Sequence, residues 1–334
     1  MTGPREPNLI SVVAPVLDEE ETLVAFYDRV CRSLAQRDFE IVVVDDGSTD
    51  RTPEILAELA STDPRVHVVT LSRHFGFQAA VTAGLDHARG DVVITIDADL
   101  QDPPELIGSL IEEWGRGSEV VYAVREAREG ESWLKLTTSR WFTRVFTRLA
   151  QLDIQPGVGD YRLLDRRVVD ALCAMPERAR FMRGLTVWVG YRQSSVPYRR
   201  DARYAGTTSY RWRTLLRISL DALSSFSHTP LQLATLMGFA VSFVAFLGLP
   251  YVIVNRILGF YVEGVSTLLF AVLLLGGIQL ITLGIIGEYV SRIYDEVKRR
   301  PLYLVRNRIN VLTPEQADVG PQSSGTSQAS EVRR

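Results

Sequence analysis

The segment Asp97-Ala98-Asp99-Leu100-Gln101-Asp102 gathers three carboxylates within six residues. Like charges this close repel, and each raises the pKa of the next. A divalent cation with hard oxygen ligands is the natural counter-charge; the competing reading is a solvated acidic loop. Asp45-Asp46-Gly47-Ser48-Thr49-Asp50 forms a second acidic cluster. A cation on such a rim suits a diphosphate, whose oxygens it bridges while it neutralises charge on a leaving group.

Each cluster follows an apolar, β-branched run. Residues 91–96 and 40–44 read as buried strands. Further strands are expected at 10–16, 66–71, 119–123 and 195–200. Helices are expected from Asp18, with acids in the first turn, then at 52–60, 76–87, 103–114 and 168–173. Strands and helices alternating at this pitch imply an α/β fold with a mostly parallel sheet and helices on both faces. Ligands of such sheets bind beyond the carboxyl ends of the strands. Both acidic clusters lie at strand carboxyl ends, so the topology brings them to one rim.

The 334 residues suffice for one sizeable domain and a further part. The net charge of −3 hides a segregation, with acids early and arginines dominant between Arg125 and Arg217. Cys31 and Cys173 are far apart and read as reduced packing residues, which excludes a disulfide framework. His67, His74, His87 and His228 show no ligand spacing, and no G-x-G-x-x-G precedes a helix. Residues 1–7 are polar, so no cleavable signal peptide is expected and the catalytic part is expected to stay cytoplasmic.

The second half changes character. In 132–150, Leu134, Trp141, Phe142, Val145 and Leu149 share one helical face and Arg140, Arg144 and Arg148 another, the pattern of a membrane-surface helix. A second amphipathic segment is expected within 206–229. Residues 231–254 and 265–287 carry no charged side chain, and each run is long enough to span a bilayer. Arginines flank the pair and the connecting loop is short, so the positive-inside rule puts both termini in the cytoplasm of a multi-pass protein of the inner or plasma membrane. Gly276, Gly277, Gly284 and Gly287 offer close helix approach and a route to homo-oligomers. The expected organisation is a catalytic domain at 1–205, the juxtamembrane helix at 206–229, two spans within 230–290, a basic cytoplasmic segment at 291–312 and a disordered tail at 313–334. The basic segments adjoin membrane spans, which argues against nucleic-acid binding.

Several motifs in order carry a resemblance. Val13-Ala14-Pro15-Val16-Leu17-Asp18-Glu19-Glu20, Val44-Asp45-Asp46-Gly47-Ser48-Thr49-Asp50 and Asp97-Ala98-Asp99-Leu100-Gln101-Asp102-Pro103-Pro104 resemble family-2 glycosyltransferases. The likeness is strongest to the polyprenyl-phosphate group, which includes dolichol-phosphate mannose synthases and bacterial undecaprenyl-phosphate glucosyltransferases. Ser72-Arg73-His74-Phe75-Gly76-Phe77-Gln78 and Gly159-Asp160-Tyr161-Arg162-Leu163-Leu164 match it too. The resemblance implies a GT-A fold and transfer of a hexose from a nucleotide-diphosphate sugar to a polyprenyl phosphate, with Mg²⁺ or Mn²⁺ as cofactor. UDP-glucose is the first choice of donor; GDP-mannose and UDP-amino sugars are the alternatives on the same fold.

By the same resemblance, Pro15, Leu17 and Glu19 surround the nucleotide, Asp46 meets its base, and Asp97, Ala98, Asp99 and Gln101 form the diphosphate site. Asp97, Asp99 and Gln101 match the metal positions, Asp99 and Asp160 the catalytic ones, and Arg125, Arg200 and Arg203 the acceptor and phosphate contacts. Two departures stand out: Leu17-Asp18 replaces an aromatic residue and Asn, and Gly206-Thr207-Thr208-Ser209-Tyr210 lacks the usual lysine. A polyprenyl phosphate is already anionic near neutral pH, so its oxygen needs little help from a base. The enzyme must neutralise two anions and align them. A processive polysaccharide synthase would carry Gln-x-x-Arg-Trp and more spans, and neither is present. A non-catalytic membrane scaffold is the rival from another class.

Overall fold

Residues Ile10, Val12, Val13 and Ala14 are fully buried, as are Val42 and Val44, because a strand at the centre of a layered sheet has apolar neighbours on both faces. The protein is described by a computed structural model at residues 5–125, 158–178, 180–198, 229–258 and 264–311. The chain runs β1 (Ile10–Val16), α1 (Leu23–Ser33), β2 (Phe39–Asp45), α2 (Thr52–Thr62), β3 (Val66–Leu71), α3 (Phe77–His87) and β4 (Val92–Thr95). A short 3₁₀ turn (Pro104–Leu106) leads into α4 (Ile107–Gly115) and β5 (Val120–Arg125). There follow β6 (Val158–Asp165), α5 (Arg166–Ala174), α6 (Met182–Trp188), β7 (Gln193–Tyr198), α7 (Thr229–Ile257), α8 (Val265–Val297) and β8 (Val305–Ile309).

The strands form one sheet in the order β7-β5-β6-β4-β1-β2-β3-β8. β1 pairs in parallel with β2 on one side and β4 on the other, and β2 pairs in parallel with β3. β6 runs antiparallel to both β4 and β5. Alternate residues of β1 enter opposite cores. Val12 and Ala14 pack with Phe26 of α1, Leu56 of α2 and Ile107 of α4, whereas Val13 packs with Val81 of α3, Val168 of α5 and Leu185 of α6. A side chain such as Phe26 contributes about 1.5–3 kcal/mol by leaving water.

The structure departs from the sequence reading, or adds to it, at three places. The first helix starts at Leu23, with no acid in its first turn. Asp18 adopts a left-handed backbone (φ 54°), and the amide groups of Asp18, Glu19 and Glu20 donate to Ser48 Oγ, Thr52 Oγ1 and Asp50 Oδ2. The acids therefore lock the loop after β1 to the loop after β2 instead of opening a helix. Second, residues 158–165, left unassigned in the sequence, form the strand β6. Third, the basic segment expected at 291–312 contains a strand: β8 joins the sheet antiparallel to β3, with Val68 opposite Ile309 and Val69 opposite Arg308.

α7 and α8 are joined by a short connection and lie against one another. Both expose large apolar side chains, among them Phe239 at 72% and Leu280 at 70%. Among the described residues, the stretch Leu274–Val297 of α8 is long and apolar enough to cross a membrane by length and composition. The first uncharged run of the sequence lies within the 29-residue α7. The surface helix expected at 132–150, the juxtamembrane helix at 206–229 and the tail at 313–334 lie outside the described residues.

Candidate active site

β1 lies between β2 and β4, so the residues following those two strands flank its carboxyl end. Asp46 and Asp97 are thus about two strand spacings apart, roughly 10 Å, on the rim where the order of the sheet reverses. Pro15 and Leu17 sit between them, Pro15 half-buried and Leu17 exposed. Glu19 closes the same loop, accepting a hydrogen bond from Thr22 Oγ1 at 2.7 Å.

Asp46 is buried and its carboxylate holds a loop. Oδ1 accepts from Phe75 N–H at 2.7 Å, Oδ2 from Gly76 N–H at 2.8 Å, and His74 Nδ1 lies 2.9 Å from Oδ2. The carboxylate that the resemblance assigns to the base thus also pins the segment after β3 against the loop after β2. Gly47 makes this possible. Its φ is +85°, and a Cβ there would stand 2.8 Å from His74 N and 2.9 Å from the Arg73 carbonyl carbon.

On the other flank, Asp99 accepts from Gln101 N–H at 3.1 Å and from Gln101 Nε2 at 2.6 Å. Gln101 therefore orients Asp99. Leu100 between them is held in the left-handed region (φ 59°), strain of the kind found where a loop is shaped for function. Ala98 is buried beneath the turn. Asp97 has its carboxyl pushed up to about 7, first by burial and then by the charges of Asp160, Asp99 and Asp102. The site is thus short of positive charge where the sequence places the metal. Among the described residues, no three His, Cys, Asp or Glu side chains close on a point that would hold an ion. A cation at this rim would need oxygen ligands beyond those the described side chains bring together.

Asp160 reaches the same rim from β6. Thr95 Oγ1 donates to the Asp160 carbonyl at 2.6 Å, which ties it to β4 two residues before Asp97. Burial alone would raise its carboxyl, but the hydrogen bond from Arg183 and the charges of Arg162 and Arg183 outweigh that and hold it below the usual carboxylate range. Arg162 Nη2 donates at 2.9 Å; Arg183 donates through Nε at 3.1 Å and Nη2 at 2.6 Å. Arg125, at the end of β5, donates to Asp102 at 3.2 Å and to Tyr198 Oη at 3.0 Å, and Tyr198 in turn donates to Asp102. Arg200 and Arg203 lie outside the described residues.

Sequence reasoning missed Arg162, Arg183 and Tyr198 as members of the cluster. Arg162 had a signal: it lies two residues after Asp160, hence on the same face of a strand. Arg183 and Tyr198 come from distant elements and carried none.

Residues 11–173, which include both acidic clusters and Asp160, match the glycosyl transferase family 2 pattern. The chain is similar to an uncharacterized glycosyltransferase of Synechocystis, 44% identical over 89% of this chain and 94% of the relative. It is also similar to the bactoprenol glucosyl transferase of Shigella phage SfV, 42% identical over 89% of this chain and 98% of the relative. Among solved structures it is similar to glucosyl-3-phosphoglycerate synthase from Mycobacterium tuberculosis, at 22% identity and a TM-score of 0.45, covering 66% of this chain and 80% of that one. A sheet that delivers two acidic loops to one rim, in a chain matching such relatives almost end to end, belongs to the family 2 glycosyltransferases and is an enzyme of that kind.

Proposed function

We propose that the chain transfers a hexose, glucose from UDP-glucose as first choice, to a polyprenyl phosphate at the cytoplasmic face of a membrane. The observation that carries this reading is the rim itself: Asp46 and the Asp97–Asp99 turn flank β1, while α8 supplies an apolar stretch long enough for a bilayer. The similarity to bactoprenol glucosyl transferases over nearly the whole chain supports the same substrate classes. GDP-mannose and UDP-amino sugars are the donors to test next.

The membrane arrangement follows from charge and length. α7 and α8 form two spans with a short outer loop, and β8 brings the chain back to the catalytic sheet directly after α8. Both ends of the hairpin then lie on the catalytic side. The exposed phenylalanines and leucines of both helices face lipid.

In the reaction, Pro15, Leu17, Glu19 and the Asp46-pinned loop receive the nucleotide. Asp97 and Asp99, the latter oriented by Gln101, would hold Mg²⁺ or Mn²⁺. When bound, the cation neutralises the departing diphosphate. Asp160 is ionised and doubly ion-paired, so it positions arginines and shapes the field at the sugar more than it takes a proton. The acceptor phosphate oxygen, already anionic, attacks the anomeric carbon in line with the leaving diphosphate; that bond breaks as the new one forms, and the configuration inverts.

The test is a panel of radiolabelled nucleotide sugars incubated with the full chain in detergent, undecaprenyl phosphate and Mg²⁺ or Mn²⁺. One UDP-hexose labelling the lipid supports the reading. No label from any donor contradicts it and favours the scaffold role.

A further inference from the structure

Arg162 and Arg183 both grip Asp160, but they spend their donors differently. Arg162 is fully buried and uses its whole fork: Nη1 donates to Thr186 Oγ1 at 2.8 Å and the Met182 carbonyl at 3.3 Å, Nη2 to the Gly159 carbonyl at 3.1 Å and Asp160 Oδ1 at 2.9 Å, and Nε to the Asp160 carbonyl at 3.4 Å. Arg183 uses one edge only. Its Nε and Nη2 form a bidentate pair with the two carboxylate oxygens, and the Nη1–Nη2 edge has no partner among the described residues. Its side chain is 38% exposed, against 3% for Arg162.

A guanidinium has two edges that each match a planar or tetrahedral oxyanion. Fixing one edge on a carboxylate removes the rotamer freedom of the side chain and aims the other edge. The result is a preorganised anion site with its entropy cost met before the ligand arrives.

The neighbourhood says which anion. Arg183 opens α6, and the segment leading into it is tied to the end of α8, where Arg178 N–H donates to Glu296 Oε1 at 2.8 Å. On the other side, Asp160 is tied to β4 beside Asp97. Arg178, five residues before Arg183, is thus tied to the last turn of the apolar helix, while Arg183 itself is tied through Asp160 to the acidic rim.

We propose that the outer edge of Arg183 binds the phosphate monoester of the lipid acceptor, with Asp160 as the residue that aims it. This rests on the polyprenyl-phosphate reading above and adds a ligand to it.

The test uses the full chain in detergent and farnesyl phosphate as probe, followed by calorimetry, with farnesol, inorganic phosphate and UDP as comparisons. The wild type is expected to bind farnesyl phosphate more tightly than farnesol or inorganic phosphate. R183Q is expected to weaken farnesyl phosphate at least tenfold and to leave UDP within twofold. Unchanged farnesyl phosphate binding, or an equal loss of UDP, overturns the proposal. Inorganic phosphate binding as tightly as the lipid probe assigns the edge to a free anion and overturns it as well. If R183Q does not fold, R183K, which keeps the charge and loses the second edge, carries the same comparison. Arg183-dependent binding in a protein that transfers no sugar would contradict the proposed reaction and uphold this site.

Discussion

Arg162 donates to the Asp160 carboxylate at 2.9 Å from a position where only 3% of its side chain meets solvent. A buried charge is tolerated only when its partner and its remaining donors are all satisfied, and here they are. Replacing Arg162 with Met removes the charge and takes a donor from the Gly159 carbonyl, from Thr186 Oγ1 and from the Asp160 carboxylate. The expected cost is about 3–5 kcal/mol, read as a fall in thermal midpoint in detergent. A loss below about 1 kcal/mol would show that the cluster is held by something else.

Asp97 gives the site a pH signature. Its carboxyl keeps a proton up to about 7 in the folded chain, whereas an unfolded aspartate releases it near about 3.9. Between those values the folded state binds a proton that the unfolded state does not, so stability falls as pH rises through this window. D97N removes the penalty. The metal-free variant is expected to be more stable than wild type at pH 8 and to lose that advantage toward pH 5, while stabilisation by Mn²⁺ disappears. Equal effects of D97N at both pH values would refute the assignment.

Gly47 predicts a backbone sensitivity at the other end of the rim. G47A forces a Cβ to within 2.8 Å of His74 N at a φ of +85°. A cost of about 1–3 kcal/mol is expected, together with a raised KM for the nucleotide sugar, because the loop pinned by Asp46 must move. An unchanged midpoint and KM would mean that the loop tolerates displacement.

The central strands were legible because their apolar, β-branched runs are buried on both faces, a pattern that few other structures demand. β1 and β3 follow the sequence expectation residue for residue. β6 was not legible, because Asp160 and Arg162 interrupt its apolar run and neutralise each other only in three dimensions. β8 reads Val-Arg-Asn-Arg-Ile, which after an apolar helix reads as a basic cytoplasmic segment; nothing local reveals that it pairs with a strand more than 200 residues earlier. The acidic clusters were legible as residues and as a shared rim. Their internal bonds were not, so Asp46 as a loop clamp and Gln101 as the orienter of Asp99 emerged only from geometry.

The β8 pairing has its own consequence. Asn310 Nδ2 donates to the carbonyls of Ala60 at 2.7 Å and Val66 at 3.0 Å, fastening the end of β8 to the start of β3. N310A is expected to speed amide hydrogen exchange along Val66–Leu71 while leaving β1 protected. Unchanged exchange in β3 would mean that β8 is not a stabilising edge of the sheet.

The central claim is that the two acidic loops serve one transfer reaction. The most direct measurement is the anomeric configuration and yield of glucosyl lipid formed from UDP-glucose and undecaprenyl phosphate by wild type and D99N. The account predicts an inverted product from wild type and at least a hundredfold less of it from D99N. A retained configuration, or full activity without Asp99, would contradict it.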